Sequence, residues 1–195
     1  MTGSFSVEPL GPSHDRSAFT CGVDALDRYF REQAGQDVRR RATACFVALE
    51  IATNRIAGFY TLAAAGVLLA KMPVRLAKRL PRYPAVPVAR LGRLAVAGAY
   101  HGRKLGGALL WDAVERASRS EVAVYALVVD AKDQQAQNFY LHHGFVPFNS
   151  VTGYETPKLR GVRSQPPNCG FAWPNSGTAI MDSGDDPGAS DDGRG

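Results

Sequence analysis

Cysteine is scarce in this chain, and so are the features that would direct it to a membrane or a secretory route. The three cysteines, Cys21, Cys45 and Cys169, are odd in number and lack metal-ligand spacing, so we expect free buried thiols and no metal site. Cys45 stands in an apolar run without a basic neighbour, which argues against a nucleophile. The longest apolar run, residues 59–70, is too short for a bilayer. The start carries no basic region followed by an apolar block, so the sequence predicts a cytoplasmic protein.

Charge and composition divide the chain near residue 150. Residues 1–148 carry a net charge of +7 and residues 149–195 a net charge of −2. Beyond residue 149, Gly, Pro, Ser and Asn accumulate without apolar periodicity, and no strand can be recognised in residues 149–163. We therefore predict one domain over residues 1–150 and a largely disordered tail over residues 151–195.

Apolar periodicity predicts an α/β fold, a mixed central sheet flanked by helices. Two aspartates, Asp24 and Asp133, are expected to cap helices. The chain is expected to be extended over residues 82–87, because each residue before a proline is kept out of the helical region. The predicted strands cover residues 5–10, 43–51, 55–61, 91–96, 121–129 and 145–148, and the predicted helices cover residues 24–36, 72–80, 134–142 and a segment ending at residue 119.

A glycine loop between a strand and a helix is the most informative segment of the sequence. Residues 91–96 form an apolar strand, and a loop with Gly102, Gly106 and Gly107 follows before an apolar-periodic helix. Backbone N–H groups at such a loop, together with the helix dipole, favour an anion such as a phosphate. Arg103 and Lys104 add positive charge. Taken alone, the loop is a weak signal, because tight turns and close helix packing use the same residues.

A second segment, about thirty residues further on, makes the pattern more specific than the loop alone. It contains Asn138, Phe139 and Tyr140 on a predicted helix that ends at Gly144, followed by a strand. The order of strand, basic glycine loop, helix, strand, Asn-Phe-Tyr helix and strand resembles the acetyl-CoA site of the GNAT family of N-acetyltransferases. The resemblance implies the GNAT fold and acetyl-CoA as co-substrate, with its contacts at Leu94, Ala95, Val96, His101, Gly102, Arg103, Lys104, Leu105, Gly106, Gly107 and Asn138.

Acetyl transfer to an amine needs an acid for the departing thiolate and an uncharged amine. Tyr140 is the candidate acid, because a phenol with a pKa of about 10 keeps its proton at neutral pH. Many GNAT enzymes place a glutamate on the strand before the loop, whereas Leu94, Ala95, Val96 and Ala97 offer no carboxylate. A lysine amine would stay mostly charged, but an α-amine with a pKa of about 8 is partly free. The missing base therefore favours an α-amine.

Several short motifs draw the resemblance closer, to the GNAT toxins of type II toxin–antitoxin modules, the TacT-like group. This likeness implies acetylation of the α-amino group of aminoacyl-tRNA, a translation block, an antitoxin with a ribbon-helix-helix domain and often a homodimer. Tyr140 matches the family's catalytic acid. The motifs are Phe19-Thr-Cys21-Gly22-x-x-x-Leu26-Asp27-x-Tyr29, Gln36-Asp37-x-x-Arg40, Gly58-Phe-Tyr60-Thr61-Leu62, Leu80-Pro81-x-Tyr83-Pro84, Leu91-Gly-Arg-Leu-Ala-Val96, Val129-Asp130-Ala131 and Asn138-Phe-Tyr140. The expected tRNA contacts are Arg39, Arg40, Arg75, Arg79, Arg90 and Arg93.

One position in the loop departs from the family pattern, and the role of another has two alternatives. Lys104 replaces a usual glycine, and it can offer its backbone N–H only if its backbone avoids positive φ. His101 is either a phosphate contact or an exposed loop histidine. Each arginine above is likewise either a phosphate contact or an ordinary solvated charge. The alternatives to a tRNA substrate are a small-molecule amine, a protein N-terminus, or a non-catalytic CoA- or RNA-binding module.

Overall fold

The computed structural model describes residues 5–72, 74–148, 160–163 and 178–179. In this part of the chain the strands form a single sheet, and its spatial order is β6-β7-β5-β4-β3-β2-β1-β8. The strands are β1 (Phe5–Pro9), β2 (Ala44–Glu50), β3 (Arg55–Leu68), β4 (Ala85–Val96), β5 (Ala126–Asp130), β6 (Val146–Phe148), β7 (Arg160–Arg163) and β8 (Thr178–Ala179).

The helices lie in the connections of this sheet. Segments α1 (Asp24–Arg28) and α2 (Ala34–Arg39) are joined by a π-helical turn, Tyr29–Gln33. The short α3 (Val74–Ala77) lies between β3 and β4, α4 (Leu105–Ser118) between β4 and β5, and α5 (Gln134–His142) between β5 and β6. Because β4 and β5 run parallel, their connection must cross over the sheet, and α4 makes this crossover.

Helices pack against both faces of the sheet. In β3, Tyr60 donates a hydrogen bond to Asp112 of α4, whereas the ring of Phe59 stacks at 4.1 Å on Phe30 of the π-helical turn. Adjacent strand residues point to opposite faces. One face therefore carries α4, called the α4 face below, and the other carries α1, the π-helical turn and α2, called the α1 face.

A β-bulge at Gly92 marks the middle of β4. Thr61 pairs with Arg93 and Leu62 with Leu91, so Gly92 is an extra residue in β4. A Cβ at Gly92 would lie 3.0 Å from Oγ1 of Thr61, which accepts a hydrogen bond from the Arg93 N–H at 3.0 Å. The missing side chain thus leaves room for the hydrogen bond that holds the bulge.

The structure confirms the mixed α/β sheet and corrects several details. Val23 is the N-cap of α1 and Asp24 its first residue, without a side-chain cap among the described residues, so the predicted cap is wrong. The predicted helix over residues 72–80 is confined to four residues, because the N–H groups of Arg79 and Leu80 donate to Leu76 and Ala77, three residues earlier, and form turns instead of continuing the helix. Strand β4 begins at residue 85, and the strand expected over residues 121–129 covers residues 126–130.

The C-terminal segment supplies strands that the sequence did not predict. Arg160–Arg163 pairs antiparallel with both β5 and β6, so the expectation of no strand in residues 149–163 is wrong. The four-residue sequence Arg-Gly-Val-Arg has no apolar alternation to recognise. Thr178–Ala179 pairs with β1. The remaining residues of the predicted disordered tail, 151–159, 164–177 and 180–195, lie outside the described residues.

Within the described ranges, no helix combines the length and the apolar character that crossing a membrane requires.

Candidate active site

The parallel strands β4 and β5 separate at one point, and we call the space between them the split. Their register ends at Leu91 and Val129, although β4 continues to Val96. Over residues 92–96, β4 pairs only with β3 among the described residues. The second edge of this stretch is therefore open toward the split, as expected for a strand that separates from its neighbour.

Strand geometry determines which backbone groups face the split. The N–H of Ala97 donates to the carbonyl of Ala57, and the N–H of Arg93 donates to Thr61, so both point toward β3. Along a strand, the backbone N–H groups of successive residues point alternately to one side and to the other. The N–H groups of Leu94 and Val96 therefore point into the split, whereas that of Ala95 points toward β3. The stretch from Leu94 to Val96, expected to contact acetyl-CoA, thus offers two backbone N–H groups on its open edge.

The glycine loop lies directly beyond this edge. Gly102 and Lys104 both have positive φ, +79° and +57°, so the condition for a backbone N–H contact from Lys104 is not met. Lys104 is the N-cap of α4 and gives no side-chain cap. The Leu105 side chain is buried in the core, which leaves only its backbone for a ligand. The first N–H groups of α4, at Leu105, Gly106 and Gly107, have no carbonyl of their own helix to bind.

His101 ties the loop to the end of β4. Its Nε2 lies 2.8 Å from the carbonyl oxygen of Val96. Because a carbonyl only accepts hydrogen bonds, Nε2 must carry the proton and donate it. The side chain is exposed, but it is anchored to the strand that borders the split.

Arg103 is the second positive charge of the loop. Its guanidinium carbon lies 5.3 Å from the centre of the Tyr100 ring. Tyr100 in turn donates a hydrogen bond of 3.0 Å to Glu50. Hydrogen bonds from Thr53 and Tyr100 hold the pKa of Glu50 below its ordinary value. Arg103 and Lys104 are both exposed, so their charges are accessible to a phosphate.

Helix α5 carries the predicted acid on the α4 face. Asp133 accepts a hydrogen bond of 2.8 Å from the Ala136 N–H, which confirms its predicted role as a cap. Tyr140 is half-buried, and its ring packs edge-on against Phe139 and Phe145 at centroid distances of 5.3 and 5.5 Å. Burial, followed by the negative charge of Asp130, raises the pKa of Tyr140 to about 12. Tyr140 therefore holds its proton at neutral pH.

Asn138 occupies an exposed position on the same helix. Its Oδ1 accepts a hydrogen bond of 3.0 Å from Gln134, one helical turn earlier. The structure thus places Asn138 at the surface of α5.

Thr20 and Cys21, in the motif that begins at Phe19, take part in a hydrogen-bond network that was not predicted from the sequence. The carboxylate of Asp27 accepts hydrogen bonds of 2.8 Å from both the Thr20 hydroxyl and the Cys21 N–H. Burial raises the pKa of Asp27, but these hydrogen bonds outweigh it and hold the pKa below its ordinary value. The Thr20 carbonyl accepts from the Gly98 N–H at 3.0 Å. The motif therefore anchors α1 to the turn that leads into the glycine loop.

Two of the six arginines expected to contact tRNA border the split. Arg90 lies 2.6 Å from Asp130 in an ion pair between β4 and β5. The guanidinium of Arg93 lies 3.5 Å from the centre of the Tyr29 ring. The other four, Arg39, Arg40, Arg75 and Arg79, are exposed in or just after α2 and α3. Residues 51–111 contain ten Lys and Arg but no Asp or Glu.

The cysteines that the structure describes are inert. Cys21 and Cys45 are buried free thiols, as predicted, and burial raises the pKa of Cys45 to about 12. No group of three or more His, Cys, Asp or Glu that could hold a metal occurs in the described part of the chain.

A split between parallel strands beside a basic glycine loop, with a protonated tyrosine on the adjacent helix, is the arrangement expected of an acyl-CoA-dependent acetyltransferase. The model of the Acetyltransferase (GNAT) family matches residues 13–145. The chain therefore belongs to the GNAT family, and its co-substrate is acetyl-CoA.

Individual proteins within the comparison resemble this chain over most of its length. The chain is 33% identical over 147 residues to a "tRNA-acetylating toxin" of Mycobacterium tuberculosis (strain ATCC 25618 / H37Rv), covering 74% of this chain and 86% of the relative. It is 28% identical over 155 residues to a "Probable toxin TacT" of Sinorhizobium fredii (strain NBRC 101917 / NGR234), with the same coverage. The solved structure of AtaT complexed with acetyl-methionyl-tRNAfMet shares the fold, with a TM-score of 0.73, 22% identity, and 82% and 94% coverage.

Proposed function

We propose that this chain moves the acetyl group of acetyl-CoA to the α-amino group of aminoacyl-tRNA and thereby acts as a toxin that blocks translation. The observation that carries the proposal is the 33% identity to a tRNA-acetylating toxin over 86% of that relative. The site agrees with it, because β4 offers no glutamate near the split and an α-amine with a pKa of about 8 is partly uncharged at neutral pH.

The residues of the site fit acetyl-CoA, because Gly106 and Gly107 in the first turn of α4 have no side chain that would cover their backbone N–H groups, and Arg103 and Lys104 beside them are exposed. The loop would bind the pyrophosphate through the backbone N–H groups of Leu105, Gly106 and Gly107 at the start of α4 and through the charges of Arg103 and Lys104. When bound, acetyl-CoA supplies an activated acetyl thioester. The N–H groups of Leu94 and Val96 would donate hydrogen bonds to an acyl oxygen in the split.

Tyr140 supplies the proton in this proposal. Its phenol is neutral at physiological pH because its pKa is raised to about 12, and it would give its proton to the departing thiolate. The proton that the α-amine releases on acylation can restore the phenol. This exchange needs no separate carboxylate base, in agreement with the sequence of β4.

The exposed arginines give this function its RNA-binding surface. Arg39, Arg40, Arg75 and Arg79 can reach phosphates, and a tRNA is the polyanion that the unbalanced charge of residues 51–111 fits. We further propose a cytoplasmic location and neutralisation by an antitoxin with a ribbon-helix-helix domain. A structure of the related toxin AtaT bound to the C-terminus of its antitoxin AtaR supports an antitoxin partner. A homodimer is part of the same proposal.

The test is incubation of the protein with acetyl-CoA and total charged tRNA, followed by mass spectrometry of the amino acids released from the tRNA. N-acetylated amino acids, absent when acetyl-CoA is omitted, are the expected result. Acetyl-CoA turnover with small amines or peptide N-termini but not with charged tRNA would favour another GNAT substrate. Binding of acetyl-CoA without turnover on any amine would indicate a non-catalytic module.

A further inference from the structure

The split is bordered by different side chains on the two faces of the sheet. On the α4 face, the Phe139 ring lies 3.8 Å from the position of a Cβ on Gly106, so α5 and its Tyr140 stand on the face of the glycine loop. On the α1 face, Arg93 pairs with Thr61 and Ala95 with Phe59. Since Phe59 stacks on Phe30, the side chain of Arg93 belongs to the α1 face.

Arg93 contacts an aromatic ring on this face. Its guanidinium carbon lies 3.5 Å from the centre of the Tyr29 ring, a contact distance for stacking. Tyr29 is 3% exposed, and its hydroxyl donates a hydrogen bond of 3.0 Å to Asp37. The ring beneath Arg93 is therefore fixed on one side by the core and on the other by α2.

The position of Arg93 along β4 matters as much as its orientation. It directly precedes Leu94, whose N–H points into the split, so its Cα lies about 3.8 Å from that of Leu94. Tyr29 covers one face of the guanidinium, while Arg93 as a whole remains partly solvent-exposed. Arginine planes stack on unpaired bases in RNA recognition. In an aminoacyl-tRNA the amino acid is esterified to a single-stranded terminal adenosine, so its adenine is tethered to the acylated amine through one ester and one ribose.

We propose that the guanidinium of Arg93, supported by Tyr29 and Asp37, stacks on the terminal adenine of the acceptor and positions the aminoacyl ester at the split. This inference rests on the proposed function. It makes Arg93 a specificity residue that distinguishes an adenosine-linked α-amine from a free one, and Tyr29 and Asp37 positioning residues.

The experiment compares Arg93→Lys with the parent on three acceptors that carry the same amino acid: charged tRNA, a 3′-aminoacylated adenosine and the amino acid methyl ester. Lysine keeps the charge but loses the planar stack. We expect kcat/KM to fall by roughly 5- to 100-fold for the first two acceptors, the range for removal of one stacked base. We expect no change for the methyl ester. The exposed Arg28→Lys, next to Tyr29 in the chain, is the matched control and should behave as the parent on all three.

A second variant tests the support beneath Arg93. Tyr29→Leu removes the ring, and we expect it to lower the preference for adenosine-linked acceptors in the same direction as Arg93→Lys. Thermal unfolding of each variant identifies any loss that comes from misfolding, and Arg93→Lys alone decides the question if Tyr29→Leu does not fold.

One result would overturn the inference alone: an Arg93→Lys variant with an unchanged ratio of adenosine-linked to methyl-ester activity, whether its activity stays parental or falls equally on all three acceptors. A parent enzyme that acetylates the methyl ester but no charged tRNA would instead overturn the proposed function.

Discussion

The ring of His101 joins the glycine loop to the open edge of β4, because its Nε2 donates a hydrogen bond of 2.8 Å to the carbonyl of Val96. The N–H of the same Val96 points into the split. One side chain therefore couples the segment expected to bind the pyrophosphate to the strand expected to bind the acyl oxygen. This hydrogen bond gives His101 a structural role that does not depend on a phosphate contact.

We expect His101→Ala to weaken this coupling. Loss of the hydrogen bond should lower the free energy of unfolding by about 1 kcal/mol and raise the KM for acetyl-CoA. His101→Gln is the matched control, because its amide nitrogen can still donate to Val96. Urea unfolding and acetyl-CoA titration check both variants, and an alanine variant with the affinity and stability of the parent would contradict the role.

Lys104 adopts a backbone conformation that suits glycine, with φ of +57°. The left-handed region costs a residue with a Cβ about 1 kcal/mol. We expect Lys104→Gly to raise the free energy of unfolding by roughly 0.5 kcal/mol after the greater flexibility of glycine in the unfolded chain is counted. Lys104→Ala removes the charge but keeps the strain, so it should not stabilise. Chemical denaturation of both variants checks this, and equal stabilities would refute the strain.

Gly106 borders the space between β4 and α5. A Cβ there would lie 3.7 Å from a methyl of Val96 and 3.8 Å from the Phe139 ring, which is ordinary contact. We therefore expect Gly106→Ala to fold well and to bind acetyl-CoA. The added methyls of Gly106→Val should intrude between Val96 and Phe139 and weaken acetyl-CoA binding far more than they lower stability. Calorimetry that finds parental affinity in a folded valine variant would refute this.

Arg75 and Arg79 are exposed on the basic segment between β3 and β4. If they bind phosphates, replacing both with Gln should weaken tRNA binding and flatten its dependence on salt by about 0.7 in log–log slope for each phosphate that is no longer neutralised. Acetyl-CoA binding should stay intact. Replacing both with Lys keeps the charges and should preserve most of the slope. Parental tRNA binding by the Gln variant at every salt concentration would show that these arginines are ordinary solvated charges.

Much of the fold was predictable because its patterns are local. Apolar alternation located β1 and β2, and helical periodicity together with Gly144 located α5. The glycine loop and Tyr140 were predictable because a strand, loop and helix that bind an anion leave a mark in consecutive residues. The cap at Asp133 followed from the same local logic.

The rest could not be predicted because it depends on contacts distant in sequence. The pairing of Arg93 with Tyr29 joins residues 64 positions apart and arises only from sheet register. Strand β7 has no apolar pattern of its own and takes its place through pairing with β5 and β6. The positive φ of Lys104 follows from the loop path, which overrode the preference of the residue.

Tyr140, on the helix beside the split, is proposed as the acid of acetyl transfer to aminoacyl-tRNA, and Tyr140→Phe tests this central claim most directly. The change keeps the ring that packs against Phe139 and Phe145 but removes the proton. With charged tRNA and acetyl-CoA at neutral pH, we predict a kcat lower by roughly 100- to 10,000-fold, an unchanged Kd for acetyl-CoA and an intact fold. Because the pKa of Tyr140 is about 12, the parent should not lose rate below about pH 10 through this group. Undiminished turnover by the folded variant would contradict the account.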